Sequence, residues 1–377
     1  MIKQYYKQAL AQLRQHPLIS IIGIVGTALS IFLIMLVVMM QQVKVAPFSP
    51  ESNRNRFLHV HYMSISHKDW GNGTSNGSMS VQTAREVYKS LKTPEAVTVY
   101  CCMTVSTPVS LPGAPAIGAD VRETDDTFFH VFDFQFTDGK PYDEATFTAG
   151  RPVAVITESI SRALFGSIQS VGKEFLLSHA PYRVVGVVKD VSTLADMAYG
   201  QVWIPFTSTN LSNDTWSDNH MGMMSVTLLA HDREDFDEIR AEAKRRMNEY
   251  NSILADQGYT LIDRNRPYDQ ETQSISFAAN LEPDLKAARR ERVIIFIILL
   301  LVPAINLSSM TQSRLRQRVA EIGVRRAFGS TRIEMVGQIV MENLVITLLA
   351  GAIGLLISIL FAYWGTDILF AQPYSVL

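Results

Sequence analysis

The chain has 377 residues, of which 34 are basic and 36 acidic, for a formal net charge of −2. That balance supplies no bulk attraction to nucleic acid, and no nucleic-acid partner is expected. Hydrophobic residues make up 47% of the chain, unevenly spread, and two adjacent cysteines, Cys101 and Cys102, are too few for a disulfide framework.

Residues 1–17 read as an amphipathic helix at the inner membrane interface. Ile2, Tyr5, Tyr6, Ala9, Leu10 and Leu13 recur at helical spacing on one face, with Lys3, Lys7 and Arg14 on the rest. His16-Pro17 permits a bend. Residues 18–40 then run 23 positions without a charge, enough to cross a hydrocarbon core of about 30 Å. The basic residues ahead of this run invite a signal-peptide reading, but the run is longer than an h-region. The small residue after it, Ala46, is followed by Pro47, which disfavours cleavage. An uncleaved anchor is expected.

Residues 41–292 form a large domain. A polar link from Ala46 to Arg56 leads to a strand at Phe57–Ile65, a flexible loop at Gly71–Gly77, a helix capped by Ser80 and running to about Leu91, and a strand at Val97–Val109. This βαβ unit, residues 57–110, is matched by a second over 220–265. There a strand at Met223–Leu229 precedes a helix capped by Asp232, with Phe236, Ile239, Ala243 and Met247 on one face, and a strand at Tyr259–Ile262. Between them lies a β-rich insertion, residues 111–219, with strands at Arg151–Ile156, Phe175–Leu177, Tyr182–Val188 and Val202–Pro205 and a helix at Glu158–Phe165. Two βαβ units around an insertion suggest a split ferredoxin-like domain. Residues 269–292 read as a helical stalk leading into a second span at 293–313.

The second span ends in an arginine-rich hairpin, residues 314–335, and a third span covers 336–364. Between Arg314 and Arg332 stand Arg314, Arg316, Arg318, Arg325, Arg326 and Arg332 against a single acid, Glu321. A basic hairpin between spans marks the cytoplasmic side, so the N-terminus lies inside and the large domain outside. Lys286, Arg289, Arg290 and Arg292 fall just outside the second span against this bias, and their stems are expected to snorkel to headgroups. Residues 365–377 form an external tail. The fold class is an α+β membrane protein: transmembrane helices carrying a large extracytoplasmic α/β domain of split ferredoxin-like βαβ units with an inserted β-rich module.

Within the hairpin, helix-forming residues from Arg314 stop at Gly329, which supplies a left-handed cap. Thr331 and Glu334 form a capping box for the next helix. A loop that only fixed topology would need arginines but not Gly323 and Gly329 at these places. In the spans, Ala350, Gly354, Ser358 and Ala362 make a four-residue stripe of small side chains, and Gly23, Gly26, Thr27 and Ser30 repeat the idea; both are read as helix-packing faces. Glu342 and Asn343 sit near the inner interface, where a structural or snorkelling role is expected.

Other motifs carry less. Gly166–Glu174 resembles a phosphate loop but is one residue too long and has Glu in place of the magnesium-binding Ser/Thr. His59 and His61 share a strand face with His67 nearby, without acidic or cysteine partners at ligand spacing, and read as an exposed strand face rather than a metal site. Cys101 and Cys102 read as free thiols on opposite strand faces, with an adventitious disulfide as the alternative. No catalytic constellation and no cofactor is expected.

The block Glu321-Ile322-Gly323-Val324-Arg325-Arg326-Ala327-Phe328-Gly329 resembles the EIG-x-RRA-x-G signature of MacB/FtsX-type ABC transporter permeases. The run Asp126–Phe132, VAVITESISRALFG, SVGKEF and YRVVGVVKDVS resembles the MacB-type periplasmic domain in order. The resemblance covers Pro17 to Tyr363. It implies a non-catalytic permease subunit of the cell inner membrane that works as a homodimer or a heterodimer with a related permease, served by a separate cytoplasmic ABC ATPase. It assigns Glu321, Ile322, Gly323, Arg325, Arg326, Ala327 and Gly329 to ATPase coupling, with membrane lipid as a further partner of the arginines. A periplasmic adaptor and an outer-membrane channel are expected if the role is efflux. Lipoprotein release, sensing with a two-component system and FtsX-like control of cell-wall hydrolases are the alternatives. The family has four spans where three are legible here, and a truncated chain is expected.

Overall fold

The computed structural model of the protein describes residues 17–317 and 319–364. The expected helix over residues 1–16 and the tail after 364 lie outside the described residues. The chain divides into two compact units, one of residues 43–285 and one made of the segments up to Gln42 and from Lys286 onward.

The elements follow in chain order. Helix α1 (Pro17–Val45) is followed by β1 (Phe57–Val60), β2 (Met63–His67), β3 (Thr74–Met79), α2 (Val81–Ala84, continued by a π turn Arg85–Lys89), β4 (Ala96–Cys101), β5 (Val105–Ser110) and β6 (Ile117–Thr124). Then come α3 (Phe128–Val131), β7 (Phe136–Gly139), α4 (Glu144–Thr148), β8 (Val153–Thr157), α5 (Glu158–Phe165), β9 (Glu174–Leu177), β10 (Ala180–Val188) and β11 (Val202–Pro205). The last are β12 (Met221–Gly222), β13 (Met224–Leu229), α6 (Phe236–Leu254), β14 (Tyr259–Ile262), β15 (Tyr268–Asp269), α7 (Gln270–Gln273), α8 (Leu285–Gln317), α9 (Val319–Ala327) and α10 (Arg332–Trp364).

In the larger unit, β13 lies between β1 and β4 and is antiparallel to both, with Phe57 opposite Leu229 and Cys101 opposite Met224. Strand β2 carries on from β1 and pairs with β14 and β3. The order β14, β1/β2, β13, β4 is the antiparallel order of a split βαβ fold. Helices α2 and α6 cover one face. Val87, Tyr88, Ile239, Ala243, Met247, Tyr250 and Leu254 pack on Leu58, Val60, Ile65, Val226 and Leu228. Full burial of each large aliphatic side chain contributes about 1.5–3 kcal/mol, so this face, not helix propensity, holds α6 in place. Ser80 accepts from the Thr83 amide at 3.1 Å to start α2.

Six further strands close on themselves. Strand β6 is parallel to β11, β11 antiparallel to β8, β8 parallel to β10, and β10, β9, β5 and β6 follow antiparallel. The ring is a small barrel filled by Val109, Val121, Ile156, Phe175, Val184 and Val202 among others. Closure leaves these strands without a free edge. A third cluster, with Phe57, Tyr100, Phe128, Phe132 and Trp203, packs between barrel and sheet.

Four local expectations are corrected. Val97–Val109 is two strands, because β4 ends with its partner β13 and β5 pairs instead with β6 and β9; the ring therefore begins at Val105, ahead of 111. Gly71–Gly77 is not a free loop: Thr74 onward forms β3, whose ladder is supplied by β2 and β12. His59 is not on an exposed face, since β1 is buried between β13 and β15. The stalk is not a helix from Asp269. Helix α7 ends at Gln273 and α8 begins only at Leu285, after Pro283, which lacks an amide hydrogen and disfavours helix in the residue before it.

Candidate functional site

Helices α1, α8 and α10 are each long and apolar enough to cross a membrane. Their packing follows from the small residues. A side chain at Gly26 would meet Asn306 at 2.5 Å, and one at Gly23 would meet Met310 at 2.0 Å, so α8 rests against the glycine face of α1. Asn306 Nδ2 donates to the Gly23 carbonyl and to Thr27 Oγ1, both at 3.4 Å. A Cβ at Gly354 would stand 2.7 Å from the Ala28 carbonyl oxygen. Helix α10 thus rests on another face of α1. Phe32 meets Phe361 edge-on at 5.5 Å. Ala350 and Ser358 are buried and Ala362 half-buried. Ser358 and Ser30 return their hydroxyls to the carbonyls of Gly354 and Gly26, each at 2.8 Å, which satisfies both donors inside an apolar bundle. Gly23, Gly26 and Gly354 therefore lie where another helix of this unit comes close.

The hairpin folds as its residues dictate. Helix α9 closes with Phe328 and Gly329 amides donating to Val324 and Arg326 carbonyls, both at 3.1 Å. Gly329 has φ +95°, a region where a side chain costs about 1 kcal/mol or more. The Thr331 amide donates to Glu334 Oε2 at 3.0 Å and the Glu334 amide to Thr331 Oγ1 at 3.3 Å, a reciprocal capping box. Ile322 is half-buried, while Arg326 and Ala327 are exposed. The side chains of Glu321 and Arg325 lie outside the described residues, as do those of Arg314, Arg318 and Glu342. Phe328 is 88% exposed and Ile333 84%, so two large apolar side chains flank the turn at its tip. A Cβ at Gly323, Gly329 or Gly337 would meet nothing within 4 Å.

Two features escaped the sequence reading. Asn306 is the first; a lone amide within an apolar run was the available signal. The second lies in the larger unit. Glu51 and Arg54, both buried, form an ion pair at 2.7 Å. Glu51 Oε1 accepts from the amides of Met197 and Ala198 at 2.9 Å. Arg54 donates to the carbonyls of Val43, Ala46 and Leu194 at 2.6, 3.1 and 2.8 Å. Burial pushes the Glu51 carboxyl pKa up and Arg54 pulls it back. The pair lies in a segment rich in Ser, Asn and Pro, where no hydrophobic period announces burial.

The remaining motifs have structural partners. His59 bonds Thr227 and Gln270 at 3.1 and 2.8 Å, and burial lowers its pKa to about 3. Among the described residues no three His, Cys, Asp or Glu side chains form a metal-holding group. Gly166 and Gly172 have φ +68° and +85° in the turns after α5 and before β9. Cys101 and Cys102 are free thiols.

Residues 18–246 match the model of the MacB-like periplasmic core domain, and residues 293–376 that of the FtsX-like permease C-terminal region. The chain is 22% identical over 361 residues to the uncharacterized ABC transporter permease YknZ of Bacillus subtilis (strain 168), covering 93% of this chain and 83% of that protein. It is 24% identical over 244 residues to the macrolide export ATP-binding/permease protein MacB of Burkholderia cenocepacia (strain HI2424), covering 64% of this chain and 33% of that one. The chain thus spans about a third of that relative's length. The crystal structure of the periplasmic region of MacB from Actinobacillus actinomycetemcomitans overlaps 54% of this chain and 88% of its own at 19% identity, with a TM-score of 0.37.

Proposed function

The chain belongs to the MacB/FtsX-type ABC transporter permeases, and on that premise we propose that it is a non-catalytic subunit coupling ATP hydrolysis on a separate cytoplasmic ATPase to a conformational change in its large unit, for efflux or export. In this reading the chain sits in the inner membrane with the N-terminus and the Arg314–Arg332 hairpin inside and residues 43–285 outside. It works as a homodimer or with a related permease. The split βαβ module, residues 57–101 with 220–265, and the insertion, which takes in β5 from Val105, act as two nested modules of the outer unit.

The hairpin tip carries the proposal. Phe328 and Ile333 stand exposed on either side of the Gly329 turn, with Arg326 and Arg332 exposed beside them. An apolar tip rimmed by cations fits a protein surface with a hydrophobic cleft and acidic rim. Gly323 is not required by contacts within this chain, which fits a face kept flat for a partner. Glu321, Ile322, Arg325 and Ala327 are assigned to the same ATPase contact in this reading.

The test is ATP-driven transport by the chain reconstituted with its ATPase. Gly329→Leu and Arg325→Glu are expected to retain folding and membrane insertion while ATP turnover no longer drives transport. Both variants keeping wild-type transport and wild-type ATPase binding would overturn the assignment.

A further inference from the structure

In the larger unit, the β2–β3 hairpin, the loop before β12 and the start of β14 surround an open cavity of about 590 Å³ lined by Trp70, Thr74, Ser75, Trp216, Asp218 and Tyr259. That volume lies within the range of small-molecule sites, roughly 300–1,000 Å³. The walls are aromatic. Trp70 meets Tyr259 edge-on at 5.8 Å, and Tyr259 rests on His67 at 4.5 Å. Trp216 lies over β3: its ring stands 3.0 Å from where a Cβ of Gly77 would be, so a glycine makes the room for it. Its Nε1 donates to Ser75 Oγ at 3.2 Å. Trp70 and Trp216 are nonetheless 40% and 37% exposed, so both indoles leave ring surface open to solvent.

The loop before β12 supplies the charge. Ser217, Asp218 and Asn219 all take positive φ, at 50°, 51° and 68°. A left-handed non-glycine backbone is strained, and such strain gathers at ligand clamps. The run is pinned at its base by Trp216 and Met221, whose backbones exchange hydrogen bonds at 3.0 and 3.2 Å. It sets Asp218 in the cavity wall, where its carboxylate interacts with the Tyr259 hydroxyl. Among the described residues that line the cavity, Asp218 is the charged one. Aromatic faces attract cations through the ring quadrupole, and the Asp218 carboxylate adds the same sign of selection.

We propose that this groove is a binding site for an organic cation, an ammonium-type centre carried on an apolar body, with Trp70, Trp216 and Tyr259 holding the body and Asp218 facing the charge. The indole faces reject an anion by the same quadrupole, and a neutral ligand of equal shape leaves Asp218 unused. The site is built from residues of the larger unit alone and does not depend on ATPase coupling.

The test uses the full chain in lipid nanodiscs, with empty discs as the baseline for partition into lipid. Tetraphenylphosphonium and tetraphenylborate share a shape and differ in charge sign. Tetraphenylphosphonium is expected to bind saturably and quench tryptophan fluorescence, with no saturable signal from tetraphenylborate. Asp218→Asn is expected to weaken binding about five- to tenfold, and Trp70→Leu by about tenfold or more. Both positions are exposed, and an unchanged far-ultraviolet circular dichroism spectrum checks that the variants fold. Equal binding of the two ions, an unaffected Asp218→Asn variant, or saturable binding of a neutral glycoside that matches the cation would overturn the proposal.

Discussion

Arg54→Met removes the cation from a carboxylate that is fully buried. Glu51 would keep only the Met197 and Ala198 amides, and the carbonyls of Val43, Ala46 and Leu194 would lose a charged donor. Breaking one side of a buried ion pair costs about 3–5 kcal/mol because the other charge stays buried and uncompensated. For a unit of this size each 1 kcal/mol moves Tm by roughly 2–4 °C, so a fall of about 6–20 °C is expected. Glu51→Leu with Arg54→Met removes both charges and the burial penalty with them. The double variant is expected to recover at least about 2 kcal/mol relative to the sum of the single costs. The assay is denaturation of the full chain in detergent, read by Trp203 as sole tryptophan. Its Nε1 donates to the Ala198 carbonyl at 3.1 Å, next to the pair. A cost below about 1 kcal/mol for Arg54→Met, or strict additivity in the double variant, would refute the reasoning.

Gly354→Leu should push α10 away from α1, because even a Cβ stands 2.7 Å from the Ala28 carbonyl; overpacking of this kind costs about 1–3 kcal/mol, and an unchanged unfolding midpoint in detergent would refute the contact. Burial pushes the Glu123 carboxyl up to about 7, against a hydrogen bond from Thr209 that lowers it. The folded state therefore holds this proton to higher pH than the unfolded one. Its stabilisation is complete below about pH 4.5 and lost as pH rises through 7, on the order of 2–3 kcal/mol. Glu123→Gln should flatten the fall in stability between pH 5 and 8, and an unchanged profile would sink the assignment. Cysteine labelling of intact cells should modify Ser75→Cys and spare Arg325→Cys; the reverse pattern would invert the proposed topology.

Much of this was legible because short-range chemistry decides it. Charge-free runs long enough to span a membrane, the Gly329 stop, the Thr331–Glu334 cap and the apolar face of α6 each lie within one segment. The closed ring was not legible. Its β6–β11 pairing joins Val121 to Val202, and no local period encodes a contact that distant. The same limit explains β3, whose Asn and Gly residues have little strand propensity and which takes its ladder from β2. Small-residue stripes showed that α1 and α10 could approach neighbours, but not that α1 would receive α8 through Asn306 and α10 through Gly354. The buried Glu51–Arg54 pair broke the usual expectation that charged residues in a polar link face water.

The central claim is that the hairpin tip docks the ATPase. A photocrosslinking residue placed at Phe328 in the chain co-expressed with its ATPase tests it most directly, with the same residue at Ile253, exposed on α6 of the larger unit, as the comparison. The account predicts that Phe328 captures the ATPase and Ile253 does not; capture from Ile253, with none from Phe328, would contradict it.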